Sequence, residues 1–225
     1  MSRLLAALCF CLFSAFIHAA DLTSLSNSDA VAGLRETLNK GAEAAIRNLG
    51  HEDGFLGNKK VRIPLPDKLQ KAEKAMRLLG MQAKADELAT AMNRAAELAV
   101  AKAKPVLTHA IKSMTVKDAK NILSGGDDAV TQYFRGATEA PLTATFLPIV
   151  KKATAQVKLA GLYNNYAGQA AQLGLLKKED ANLDDYVTRK ALDGLFLIMA
   201  EEEKALRQNP VKAGSKILET IFGVK

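Results

Sequence analysis

Apolar residues return at intervals of three, four or seven along most of this chain, the period of a helix that buries one stripe of its surface. From Gln82 to about Ser113 the stripe reads Ala85, Leu88, Met92, Ala95, Ala99, Val106 and Ala110. It predicts one long helix with a narrow seam, kinked where Pro105 falls inside it. Glycine and proline punctuate the remainder. Asp29 to Leu49 is predicted helical up to Gly50, and Asp67 to Leu79 is bounded by Pro66 and Gly80. Thr115 caps a short helix ending near Ser124, Asp127 to Arg135 forms another, and Thr138 caps a third that takes Pro141 in its first turn and bends at Pro148. Leu159 to Leu173 continues helically, Asp184 to Gln208 runs up to Pro210, and Val211 to Phe222 closes the chain.

Two stretches depart from that rhythm. GLFLIMA, residues 194 to 200, is apolar all round, so the helix carrying it is expected near the centre of the fold and buried on every side. In GHEDGFLGNKKVRIPLP, residues 50 to 66, Val61, Ile63 and Leu65 alternate with Arg62, Pro64 and Pro66. That period of two marks an extended segment, and its prolines forbid a central strand. An extended arm lying across the helices is predicted, at a length where loops are often functional. The fold class is therefore all-α: a single-domain, irregular bundle of about eight helices with one extended arm.

The N-terminus changes the picture of where the protein works. Arg3 precedes an apolar run from Leu4 to Ile17, and Ala19 and Ala20 follow. This is the layout of a secretory signal peptide, expected at residues 1–19, with residues 20–225 forming the helical domain. The run is too short for a spanning helix, which needs roughly 18 residues or more. Cys9 and Cys11 follow the bulky Leu8 and Phe10, which disfavours a lipid-anchoring box, and both leave with the signal. The mature chain then has no cysteine and must be stabilised by burial alone, in a periplasmic setting that permits disulfides. Losing Arg3 lowers the formal net charge from +7 to +6. The excess is spread over helical segments, consistent with solvated faces; an anionic membrane surface or another acidic partner is the alternative. Aromatic residues are not interleaved with basic ones as a nucleic-acid stacking platform requires.

The chemistry-bearing motifs are sparse. ILSGGDDAVTQYFRG, residues 122 to 136, reads as a helix joint, with Gly125 left-handed and Asp127 capping the next helix. Carboxylates at that N-terminus repel phosphate, so a phosphate cradle fails on sign. His51 and His109 stand without a thiol, which gives no metal site; HEDG at 51 to 54 reads as a surface turn, and no cofactor is implied. No nucleophile elbow, phosphate-binding loop or zinc-protease helix is present. Asn93 and Arg94 lie within one turn of Glu97, the spacing of local pairing or of a polar cluster facing a groove. Asp193 is placed to pair with Arg189 or Lys190, and Glu201, Glu202 and Glu203 read as solvated helix surface. The candidate ligand-binding set is Asn93, Arg94, Glu97, Tyr133, Arg135 and Tyr186, tested by whether these residues meet around one cavity.

DGF at 53 to 55, VRIPLP at 61 to 66, MNRAAE at 92 to 97, GGDDAVTQYFR at 125 to 135, FLP at 146 to 148, DDYVTRKALDGLFLIMAEEEKALRQNP at 184 to 210 and the closing IFG resemble a bacterial family. That family is exported, helical and classified as a domain of unknown function. The resemblance covers almost the whole mature chain; it implies an all-helical envelope protein and carries over no catalytic residue. Three functions are weighed: a non-enzymatic binding or interaction protein of the cell envelope, with an envelope protein or small ligand as partner; a small-molecule or lipid carrier with an aromatic-lined pocket; and an enzyme using a carboxylate such as Glu97 or Asp193. No signal for an oligomeric state is present.

Overall fold

The computed structural model describes residues 27–67, 70, 80, 82–126, 128–174 and 181–208. The expected signal peptide, most of the helix expected over Asp67 to Leu79, and Val211 to Phe222 lie outside these residues. Seven α-helices and no strand are found among the described residues: α1 (Asn27–Leu49), α2 (Gln82–Val100), α3 (Lys104–Ser113), α4 (Val116–Leu123), α5 (Ala129–Thr154), α6 (Lys158–Gln172) and α7 (Leu183–Gln208). The all-α, single-domain reading holds, and the helix count is close to that expected.

Helix α7 lies at the centre, packed against α1, α2, α5 and α6, and α5 packs in addition against α2, α3 and α4. The stripes explain why. Leu34, Leu38, Ala45 and Leu49 of α1, Leu88, Met92, Ala95 and Ala99 of α2, and Phe134, Leu142, Phe146 and Val150 of α5 are all buried at helical spacing. Among the described residues no helix is long and apolar enough to cross a membrane.

Five expectations about the elements are corrected. Gln82 to Ser113 is two helices: the chain turns at 101–103 and restarts with Pro105 in the first turn of α3, where a missing N–H breaks no helical bond. Asp127 to Arg135 and the Thr138-capped helix are one element, α5, which holds both Pro141 and Pro148 inside it. Thr138 is no cap, because its hydroxyl donates back to Phe134 O at 2.6 Å. Gly125 has no left-handed φ; glycine fits there because a Cβ would lie 2.5 Å from Ala129 Cβ. Finally, α7 is not buried on every side around GLFLIMA, since Leu197 is 43% exposed. The Thr115 cap is present as a full capping box with Asp118, whose carboxyl is held below its usual range by the hydrogen bonds from Thr115.

The extended arm is present, and α7 is cut to receive it. Val61, Ile63 and Leu65 are buried while Arg62 and Pro64 are exposed, the alternation expected of a strand-like segment lying on one face. Phe55 is fully buried over Gly194, where an added Cβ would stand 2.7 Å from the ring edge and 3.3 Å from Val61 Cβ. Gly194→Ala gains about 1 kcal/mol of helix propensity but forces overpacking that costs about 1–3 kcal/mol. Net destabilisation of about 1 kcal/mol is the expected outcome in urea unfolding. A more stable variant would show that the slot is loose.

Candidate functional site

The arm begins with a compact turn. Gly50 N–H donates to Ile46 O at 2.7 Å, and Gly54 N–H donates to His51 O at 3.1 Å. Asp53 takes a left-handed φ of 67°, and a Cβ on Gly54 would collide with the Leu49 backbone, so this turn needs both a residue that tolerates the left-handed region and one with no side chain. HEDG is thus a surface turn as expected, with the His51 ring against its neighbour's carbonyl, Glu52 O.

Side chains from two helices then fasten the arm through its backbone. Glu97 of α2 is 4% exposed, and its Oε1 accepts from Phe55 N at 3.0 Å and Leu56 N at 3.1 Å. Its Oε2 accepts from Arg94 Nη1 at 2.8 Å. Arg94 also reaches Asp53 at 2.8 Å and Glu52 at 3.2 Å in the turn, and its bonds to Glu97 and Asp53 push its guanidinium still higher than usual. Asn93, fully buried one turn earlier, pairs with Ile63 in both directions: Oδ1 accepts from Ile63 N at 2.8 Å and Nδ2 donates to Ile63 O at 3.0 Å. The side-chain amide thereby does for the arm what a neighbouring strand would do. From α7, the Tyr186 hydroxyl donates to Pro64 O at 3.1 Å, and Glu201 binds Lys60 at 2.8 Å.

Asn93, Arg94, Glu97 and Tyr186 are therefore brought together, but around the arm and not around a cavity. Tyr133 and Arg135 lie elsewhere. The Tyr133 hydroxyl donates to Ala110 O at 3.2 Å, and burial pushes its pKa up, which keeps it a donor and no base. Arg135 stacks 4.6 Å over the Phe196 ring and reaches Asp193 at 3.3 Å. Asp193 is thus held across helices from α5, a correction to the expected pairing within α7.

The larger correction is Glu203. Instead of lying on a solvated surface it is 4% exposed, and its carboxylate accepts from Val130 N, Thr131 N and the Thr131 hydroxyl at 3.0–3.1 Å. It occupies the N-terminus of α5, the place where the sequence excludes a phosphate cradle and reads as a helix joint. Asp127, the expected cap, lies outside the described residues, and Asp128 makes no capping bond. At its own start α7 is fixed by Asn182, which accepts from Asp184 N at 2.8 Å, and by Asn164 of α6, which accepts from Leu183 N at 2.7 Å. The Thr154 hydroxyl closes the far end of α5 onto Asp184.

Among the described residues, two grooves open on the surface. One, of about 580 Å³, runs between α2 and α5 over Ala91, Leu98, Ile149 and Val157. The other, of about 450 Å³, lies between α3 and α5 and includes His109 and Tyr133. No curated protein and no solved structure matches the chain. Residues 24–223 match the model of the family described as a protein of unknown function, DUF4197, and with so much of its length covered the chain belongs to that family.

Proposed function

We propose that this is a non-enzymatic binding or interaction protein of the bacterial cell envelope, exported to the periplasm by a cleaved signal peptide. The observation that carries the reading is the use made of the polar groups closest to a site. Both oxygens of Glu97 already hold Phe55, Leu56 and Arg94, and Asn93 has its carbonyl and its amide on Ile63. A general acid or base must reach a substrate proton, and Glu97 is enclosed by its own partners. Asp193, the second carboxylate considered, sits about half exposed on the outer surface beside Arg135. The Tyr and Arg candidates do not converge on an enclosed pocket, which disfavours the carrier reading. What the molecule offers instead is a braced helical body with grooves open to a partner.

Mild formaldehyde crosslinking of the tagged full chain in its host, followed by mass spectrometry of the envelope fraction, is expected to return one reproducible partner. N-terminal sequencing of the same material is expected to start at Ala20. Recovery with residues 1–19 still attached, or no partner above the background of an unrelated exported protein, overturns the proposal.

A further inference from the structure

Helix α6 carries apolar side chains on two sides, and the fold uses one of them. Ala160, Tyr163 and Ala167 are buried at spacings of three and four, the inner face that α6 lays on the rest of the molecule. Leu162 is 43% exposed, and Leu173, the residue after the last turn, is 74% exposed, the most open large apolar side chain among the described residues. Eleven residues separate the two, which is three turns of helix, so both stand on one side and are turned away from the inner face. A Cβ added at Gly161 or Gly168 would meet nothing within 4 Å, so no atom closes over this part of α6. Neither surface groove includes an α6 residue, so these leucines project and are not recessed.

Lysines stand at the head of this face. From Lys151 to Gly174 the sequence holds Lys151, Lys152 and Lys158 and no acid. All three are exposed, and among the described residues their ammonium groups make no ion pair or hydrogen bond. The carboxylates of the neighbourhood lie off the face: Asp184 is buried against the Thr154 hydroxyl, Asp185 stands on α7, and Glu87 lines the α2–α5 groove with Lys152. Setting Glu87 against Lys152 still leaves Lys151 and Lys158 uncompensated.

The core of a protein interface is poor in lysine and rich in arginine and large aromatic side chains. Projecting leucines beside free lysines match instead the boundary of an anionic bilayer, where leucine enters among the headgroups and the ammonium groups stay at the phosphates. We propose that α6 and the α5–α6 turn rest on an anionic lipid surface, with Leu162 and Leu173 inserted and Lys151 and Lys158 on lipid phosphates. This goes beyond the interaction-protein reading above and stands without it, since vesicles offer no protein partner.

Sedimentation of the mature chain with vesicles of equal parts phosphatidylglycerol and phosphatidylcholine, against phosphatidylcholine alone, tests the proposal. Binding to the anionic vesicles alone is expected, weakening as salt rises. The double variant Leu162→Ser, Leu173→Ser is expected to lose at least about tenfold in partition coefficient, the scale of one inserted leucine. Lys151→Gln with Lys158→Gln is expected to lose at least about tenfold as well. Lys112→Gln with Lys117→Gln removes two equally exposed charges from α3 and α4 and is expected to leave binding within about twofold of the parent. All these side chains are exposed, so circular dichroism and Tm are expected to match the parent. Equal binding to both vesicles, an unchanged leucine variant, or an equal loss from the α3 and α4 lysines overturns the proposal. So does a dimer in lipid-free solution that the leucine variant abolishes, which gives the face to a second copy.

Discussion

Replacing Glu97 by Ala is expected to cost about 3–5 kcal/mol of folding stability, the scale seen when one member of a buried charged pair is removed. Three donors lose their acceptor at once: the amides of Phe55 and Leu56 and the Arg94 guanidinium. Phe55 is fully buried, so its N–H has no easy route to water, and a buried unsatisfied donor alone costs about 1–3 kcal/mol. Glu97→Gln keeps one carbonyl oxygen for the two amides and turns an NH₂ toward Arg94. It is expected to lose about 1–2 kcal/mol. Urea unfolding with an unchanged m-value measures both, and limited proteolysis within residues 50–60 is expected to quicken in the Ala variant as the turn loosens. A catalytic carboxylate behaves in the opposite way, since its removal leaves stability unchanged or raised. A Glu97→Ala protein as stable as the parent would therefore revive the enzyme reading and remove the clamp.

The arm shows what a sequence exposes to physical reading. The alternation of Val61, Ile63 and Leu65 with Arg62, Pro64 and Pro66 is a local signal, written in the pleat of an extended chain, and it gave the arm's conformation and its buried face. The groups that hold it were also nominated, because Asn93, Arg94 and Glu97 stand where polar residues interrupt an otherwise apolar seam. Their purpose was not visible. Whether a buried Asn faces a ligand or the backbone of Ile63 depends on what the fold lays across it, some 30 residues away in the chain. The same holds for Arg135, whose partners Asp193 and Phe196 come from a different helix.

Helix ends divided along similar lines. The Thr115 cap was legible because its partner Asp118 is three residues off. The continuity of α5 through Pro141 and Pro148 was not. Each proline removes one helical hydrogen bond and costs about 3 kcal/mol in an isolated helix. Phe134 and Leu142 are buried on either side of Pro141, and Phe146 and Val150 on either side of Pro148, so breaking the helix would uncover core side chains worth about 1.5–3 kcal/mol each. Packing outweighs the local cost. At Pro105 the balance falls the other way, because the chain can turn at 101–103 and restart with Leu107, Ala110 and Ile111 buried, while Val106 of the expected stripe is only partly covered.

Three consecutive glutamates carry the last and sharpest contrast. Successive helical positions lie about 100° apart, so Glu201, Glu202 and Glu203 point in three directions. Glu201 meets Lys60 of the arm, Glu202 accepts from Asn48 of α1 at 3.2 Å, and Glu203 turns inward to the first amides of α5. Glu203→Ala is expected to cost about 3 kcal/mol, combining the loss of an N-terminal cap with buried donors left unpaired. Glu201→Ala and Glu202→Ala remove exposed contacts and are expected to stay within about 1 kcal/mol of the parent. Urea midpoints of the three variants measure the difference, and amide exchange at Val130 and Thr131 is expected to rise in Glu203→Ala alone. Because the carboxylate fills the α5 N-terminus, the Ala variant also leaves the Val130 and Thr131 N–H groups without their acceptor. If added phosphate restores its stability while leaving the parent unchanged, the glutamate is standing where an anion would otherwise bind. Equal midpoints for all three variants would instead mean that α5 is held by its buried apolar face, with the Glu203 contact contributing nothing measurable.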